Sequence, residues 1–217
     1  MTTQAAIQLN YTDNEPIYRA LLATKDPAER ERIYREDLFG AYAGLFQMFG
    51  GSDVLQSAAN WKLYTPDDYV GPARERIQHT VDGLAAADAF TSVHAAMTDA
   101  TNAFIPHTDQ IGLDSVQAGL FIGELDKAVA EQGYTGFGAM PGYVMVVYDM
   151  PNAYTLHRIK GATAHEFNHN VRFKVHPFNP MTTSVGEYMI AEGLAESFAA
   201  ELYGADVVGY YVTDFDG

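Results

Sequence analysis

The amino-acid sequence predicts an α+β fold, and three observations carry that expectation. Residues up to about 110 show helical apolar spacing punctuated by proline and glycine. The stretch from about 115 to 150 turns β-branched, aromatic and glycine-bounded, and two long helical patterns follow it. With 217 residues, 47% apolar and 19% charged, the chain has ample material for a buried core.

Taken in order, Asn14-Glu15-Pro16 opens a short helix, since proline is tolerated in a first turn. Asp26-Pro27-Ala28-Glu29 is a stronger start, with Asp26 as N-cap, Pro27 first in the helix and Glu29 at the capping-box position. The apolar run Ile33, Leu38, Ala41, Leu45, Met48 keeps helical spacing until Gly50-Gly51 stops it. Helices are expected near 74–86 and 87–104, the second ending before Pro106; His79 and His94 on them read as ordinary surface or satisfied histidines. Ala118–Gly123 and Tyr143–Tyr148 read as strands. The segment Gly133–Gly142 between them reads as a turn-rich connection, and it lacks the Lys-Ser/Thr that a phosphate-binding loop needs. If Tyr143–Tyr148 lies at a sheet edge, it offers backbone pairing to an extended peptide.

A helix from Tyr154 to about Phe173 carries His165-Glu166-Phe167-Asn168-His169. Histidines four apart stand one above the other, with Cβ atoms about 6 Å apart, so both imidazoles can reach one ion. Glu166 projects about 100° around the helix, beside the ion, where it can take a proton from water. Leu156, Phe167 and Val171 occupy the opposite, core-facing side.

A third ligand is required. The extended metzincin pattern fails, because Arg172 and Val175 stand where glycine and a third histidine belong. His176 is close but sits at the helix exit before Pro177. The next helix is the better source: Ser184 and Glu187 form a capping box, the helix runs to about Tyr203, and Gly204 ends it. One stripe of it holds Val185, Tyr188, Glu192, Ala195, Glu196, Ala199 and Tyr203, while Glu201 points elsewhere. Paired carboxylates on an otherwise uncharged stripe call for something positive opposite them, unless the stripe is simply a solvated acidic face.

These residues, His165-Glu-x-x-His169 followed by Glu192-Gly-Leu-Ala-Glu196, resemble a gluzincin metallopeptidase. More narrowly they resemble the predicted Zn-dependent protease family known as domain of unknown function 2268, Arg172 included. The likeness covers roughly residues 115–205. It implies a zincin-like fold for the catalytic part, 111–217, while residues 1–110 read from their own pattern as a mainly helical part, the two compatible with one compact domain. It implies one Zn2+ per chain held by His165, His169 and Glu192, with Glu166 as general base and Glu196 steadying a ligand histidine. The implied activity is hydrolysis of peptide bonds by metal-activated water. An oxyanion donor is also expected, with Tyr203, Tyr210, Tyr211 and His176 as candidates. Members of that family continue past the EGLAE helix, whereas here only Asp206–Gly217 follow, so the chain reads as ending early.

Composition bounds the alternatives. There are no cysteines, so any metal site must use histidine and carboxylate. A formal charge of −15 argues against nucleic acid and anionic membrane as partners; a peptide or protein substrate is what the resemblance implies. The start MTTQAAIQLN shows no basic-then-apolar leader, so the cytoplasm is the expected compartment. A metal-binding regulatory or chaperone-like protein without peptidase activity fits the same ligands. Oligomeric state stays open.

Overall fold

The computed structural model describes residues 6–48, 53–125, 133–179 and 181–209. It is a mixed α+β structure around a four-stranded sheet of order β1-β2-β4-β3, built from β1 (Gln8–Thr12), β2 (Ser115–Ile122), β3 (Tyr134–Phe137) and β4 (Tyr143–Tyr148). β1, β2 and β4 run parallel, and β3 pairs antiparallel to β4 at the sheet edge.

Two corrections follow. The N-terminal region was expected to be helical, yet Gln8–Thr12 supplies a strand, pairing Leu9 with Val116 and Tyr11 with Ala118. The edge beside the site is β3, out of the glycine-rich segment, whereas β4 is flanked by β2 and β3 on its two sides. β4 therefore has no free edge for a peptide; its near-continuous burial is that of an interior strand.

The helices before the sheet form largely as their sequence signals indicate. They are α1 (Glu15–Ala23), α2 (Pro27–Arg32), α3 (Ala43–Met48), α4 (Val54–Asn60), α5 (Arg74–Ala86), α6 (Ala89–Ala103) and the short α7 (Thr108–Ile111). Asp26 caps α2 by accepting from the Ala28 N–H at 3.0 Å. Past Arg32 the helix widens into a π turn over Ile33–Leu38 and a 3-10 turn over Gly40–Tyr42 before α3 resumes, so the long expected helix is broken. Its expected stop at Gly50-Gly51 lies outside the described residues. Asn14 does not cap α1; its side chain is buried and donates to the Leu120 carbonyl at 2.9 Å, tying the helix start to β2.

Register sorts the side chains by face, since paired residues point the same way. Phe121 and Tyr143 lie on one face and meet the aromatic layer from the N-terminal helices: Phe39–Phe121 at 5.3 Å, Tyr42–Phe121 at 5.0 Å and Tyr42–Tyr143 at 6.1 Å. Tyr134 and Tyr148 pair on the other face at 5.7 Å, and the Tyr148 hydroxyl donates to the Thr155 carbonyl at 3.1 Å. That face is covered by α6 and by α8 (Ala153–Val175). The helix α9 (Val185–Tyr203) packs on α8 and stands off the sheet. One continuous core runs from Tyr18 and Phe46 through the strands to Phe167. Among the described residues no helix is long and apolar enough to cross a membrane.

Candidate metal centre

α8 begins at a reciprocal cap, in which Asn152 accepts from the Thr155 N–H and Thr155 accepts from the Asn152 N–H, each at 3.0 Å. It follows β4 after a four-residue connection, so the end of the strand fixes where the helix crosses the sheet. Phe167 and Val171 are buried against the sheet side, Phe167 meeting Phe104 edge-on at 5.8 Å. The histidines on the opposite side thereby face α9. That helix starts at the expected capping box, with Ser184 N–H donating to Glu187 at 2.8 Å and Glu187 N–H to Ser184 Oγ at 3.2 Å.

Between the two helices His165, His169 and Glu192 offer one ligand atom each, all within 4.8 Å of one another. His165 Nε2 lies 3.3 Å from Glu192 Oε2, and His169 Nε2 lies 3.4 Å from Glu192 Oε1. Charge-assisted hydrogen bonds are shorter, about 2.7–2.9 Å. Two atoms bound about 2.05 Å from one tetrahedral ion, by contrast, stand about 3.3 Å apart. The donor spacing thus fits a shared cation better than direct pairing, and the chemistry of two imidazoles and a carboxylate fits zinc.

Glu196 sits one turn after Glu192 and reaches the far side of His165, its Oε1 3.0 Å from Nδ1. Its other oxygen accepts from the Gly209 N–H at 3.0 Å. A carboxylate at this distance favours the Nδ1–H form of His165, with Nε2 toward Glu192. His169 is steadied differently, by stacking on Phe173 at 5.3 Å; its Nδ1 is buried and meets no hydrogen-bond partner among the described residues.

The charges are arranged accordingly. Burial pulls the His165 pKa down, but the Glu192 and Glu196 carboxylates overcome it and hold it at about 10. Burial would raise Glu192, yet the two histidines bring it below the usual carboxylate range. Glu166 is pushed upward by its burial, partly countered by His165, His169 and the Gly138 N–H.

Glu166 lines a cavity of about 420 Å³ together with His165, His169, Glu192, Tyr188 and the β3 segment Tyr134–Phe137. Two glycines make room for it. A Cβ on Gly136 would overlap the Glu166 carboxylate, and one on Gly138 would overlap its main chain. The sequence signal was present as Gly136-Phe137-Gly138, but nothing in it says what the glycines face.

Of the candidate oxyanion donors, Tyr203 instead donates to Asp99 at 2.9 Å, and His176 is exposed at the end of α8. Neither lines the cavity, and Tyr210 and Tyr211 lie outside the described residues. Two tyrosines do line the cavity, Tyr134 on β3 and Tyr188 one turn before Glu192; the Tyr188 pKa is raised by partial burial and by the Glu192 charge. Phe173 and Phe178, packed at 4.9 Å, form an aromatic wall that sequence reading passed over.

An α+β chain with two histidines on one helix and a glutamate on the next is of the class that could hold a divalent metal. The chain belongs to the family described as "Predicted Zn-dependent protease (DUF2268)", which matches residues 90–217, more than half of its length. It is also similar to the "Uncharacterized protein YjfC" of Bacillus subtilis (strain 168), 45% identical over 107 residues, covering 49% of this chain and 36% of that one. The chain thus spans about a third of the length of this curated relative. No solved structure matches it.

Proposed function

We propose that the protein is a zinc-dependent peptidase with a zincin-like arrangement of the gluzincin type. His165, His169 and Glu192 would hold the metal, Glu166 would act as general base, and Glu196 would orient His165. The observation that carries this reading is the convergence of the three ligand atoms within 4.8 Å on a cavity that Glu166 also lines.

A bound zinc ion supplies Lewis acidity, making water acidic near neutral pH and polarising a carbonyl. Glu166 accepts the proton of the attacking water and delivers it to the departing amine nitrogen. Its raised pKa suits the second of these tasks, since a more basic carboxylate holds the proton until the amine needs it. Tyr188, which lines the same cavity, would donate a hydrogen bond to the developing oxyanion. Among the described residues no strand pairs with the outer edge of β3, which would offer its backbone to an extended peptide beside the same cavity. Phe173, Phe178 and Tyr188 favour large apolar side chains next to the cleaved bond.

The test is turnover of a quenched-fluorescence peptide library by zinc-loaded protein, beside Glu166→Gln. Hydrolysis lost by at least about a hundredfold in the variant, with zinc retained, supports the reading. Zinc binding with no hydrolysis in the wild type would replace it with a metal-binding regulatory or chaperone-like role.

A further inference from the structure

Asn170 follows the second ligand histidine and lies four residues beyond Glu166, so the two side chains stand on one face of α8. It is fully buried. Its amide donates to the Gly138 carbonyl at 2.7 Å and to the Tyr143 carbonyl at 2.7 Å, and its Oδ1 accepts from the Gly142 N–H at 2.6 Å. Both amide hydrogens are therefore spent on the two ends of the β3–β4 connection, Gly138 where it leaves β3 and Tyr143 where β4 begins. The same loop touches Glu166 at Gly138, which abuts its main chain too closely to admit a Cβ and turns its N–H toward the carboxylate, while Gly136, just before it in β3, backs the carboxylate itself.

A buried amide needs a reason, because burying polar atoms is favourable only when their partners are all in place. Adhesion of α8 to the sheet does not require one, since Phe167 and Val171 already supply apolar contact there. What Asn170 adds is register. It sets where the backbone from Gly138 to Tyr143 lies along α8, and hence where the wall against Glu166 stands.

We propose that Asn170 is a positioning residue, which locks the Gly138–Tyr143 loop and through it fixes the aim of the Glu166 carboxylate. This rests on reading Glu166 as the general base. The mechanism is geometric: a general base must lie within hydrogen-bond reach of its proton, and a displacement of about 1 Å costs on the order of a hundredfold in rate. Asn170 touches neither the three ligand atoms nor the reacting groups, so its loss should spare the metal.

The test is a double-mutant cycle on zinc-loaded protein. Asn170→Asp keeps the shape and the Gly142 contact but lacks the two N–H donors. The expected result is kcat down by about ten- to a hundredfold, KM within about twofold and zinc content per chain unchanged. In the Glu166→Gln background the same change should alter the residual rate by less than about threefold, because the base it positions is already gone. An equal loss in both backgrounds, or loss of zinc, would mark Asn170 as a general structural residue and overturn the proposal. Amide exchange of the wild type provides a check that needs neither turnover nor a folded variant. The Gly142 N–H should exchange slowly, and rapid exchange would mean that the loop is not locked. A wild type that cleaves no peptide would defeat the proposed function, while the exchange result would still decide the fate of the clamp.

Discussion

Replacing Glu196 by glutamine tests whether the second carboxylate of α9 serves the metal centre or only the fold. Among the described residues its two oxygens take His165 Nδ1–H at 3.0 Å and Gly209 N–H at 3.0 Å. Glutamine has the same shape but offers one oxygen and one NH2, so as long as His165 keeps its Nδ1–H, one of those donors faces another donor. Leaving a buried donor unsatisfied costs about 1–3 kcal/mol, and Glu196 is 6% exposed, too little for solvent to rescue it. In a chain of this size that lowers the melting temperature of metal-free protein by about 2–12 °C. The imidazole also loses the anion that orients it, which costs metal affinity about ten- to a hundredfold, or about 1.4–2.7 kcal/mol. Calorimetry of metal-free protein measures the first effect and zinc titration against a competing chelator the second. Zinc affinity within about twofold of wild type would refute the orienting role.

Other predictions can be checked alongside. Gly136→Ala should abolish hydrolysis by about a hundredfold or more while zinc stays bound, since its methyl group displaces the Glu166 carboxylate; kinetics together with metal content decide it. Tyr188→Phe should lower kcat by about a hundred- to a thousandfold with little change in KM if this phenol meets the oxyanion. In metal-free protein, His165 is held at about 10 against an ordinary 6.5, so its contribution to stability is full below pH 6.5 and fades as pH rises toward 10. Zinc must displace that proton, so apparent zinc affinity should climb about tenfold per pH unit through the same window, read by chelator competition. Phe167→Ala, at a fully buried site between the two histidines, should cost about 3–5 kcal/mol in denaturant melts.

Much of the site was legible because its parts are periodic. His165, Glu166 and His169 declare their shared helix by spacing alone, and Ser184 with Glu187 marks where α9 begins. Glu192 and Glu196 could be singled out because two carboxylates on an uncharged stripe need a reason. What escaped reading depends on partners distant in sequence. Asn170 looks like one more polar helix residue until Gly138, Gly142 and Tyr143, some 27 to 32 positions earlier, are brought against it. β3 is four residues long and contains glycine, so no alternation distinguishes it from a turn; its pairing with β4 makes it a strand. β1 reads Gln8-Leu-Asn-Tyr-Thr12, too polar to announce itself, and it forms because β2 offers a parallel partner. The failure of Tyr203 as an oxyanion candidate has the same origin, since its partner Asp99 lies on α6.

Zinc content per chain, measured on tag-free protein for wild type beside Glu192→Ala, tests the central claim most directly. The account predicts about one zinc per wild-type chain and a clear loss in the variant, with the fold of both intact. A wild type that holds no zinc after zinc is supplied and the excess removed, or a variant that binds as well as wild type, would contradict it.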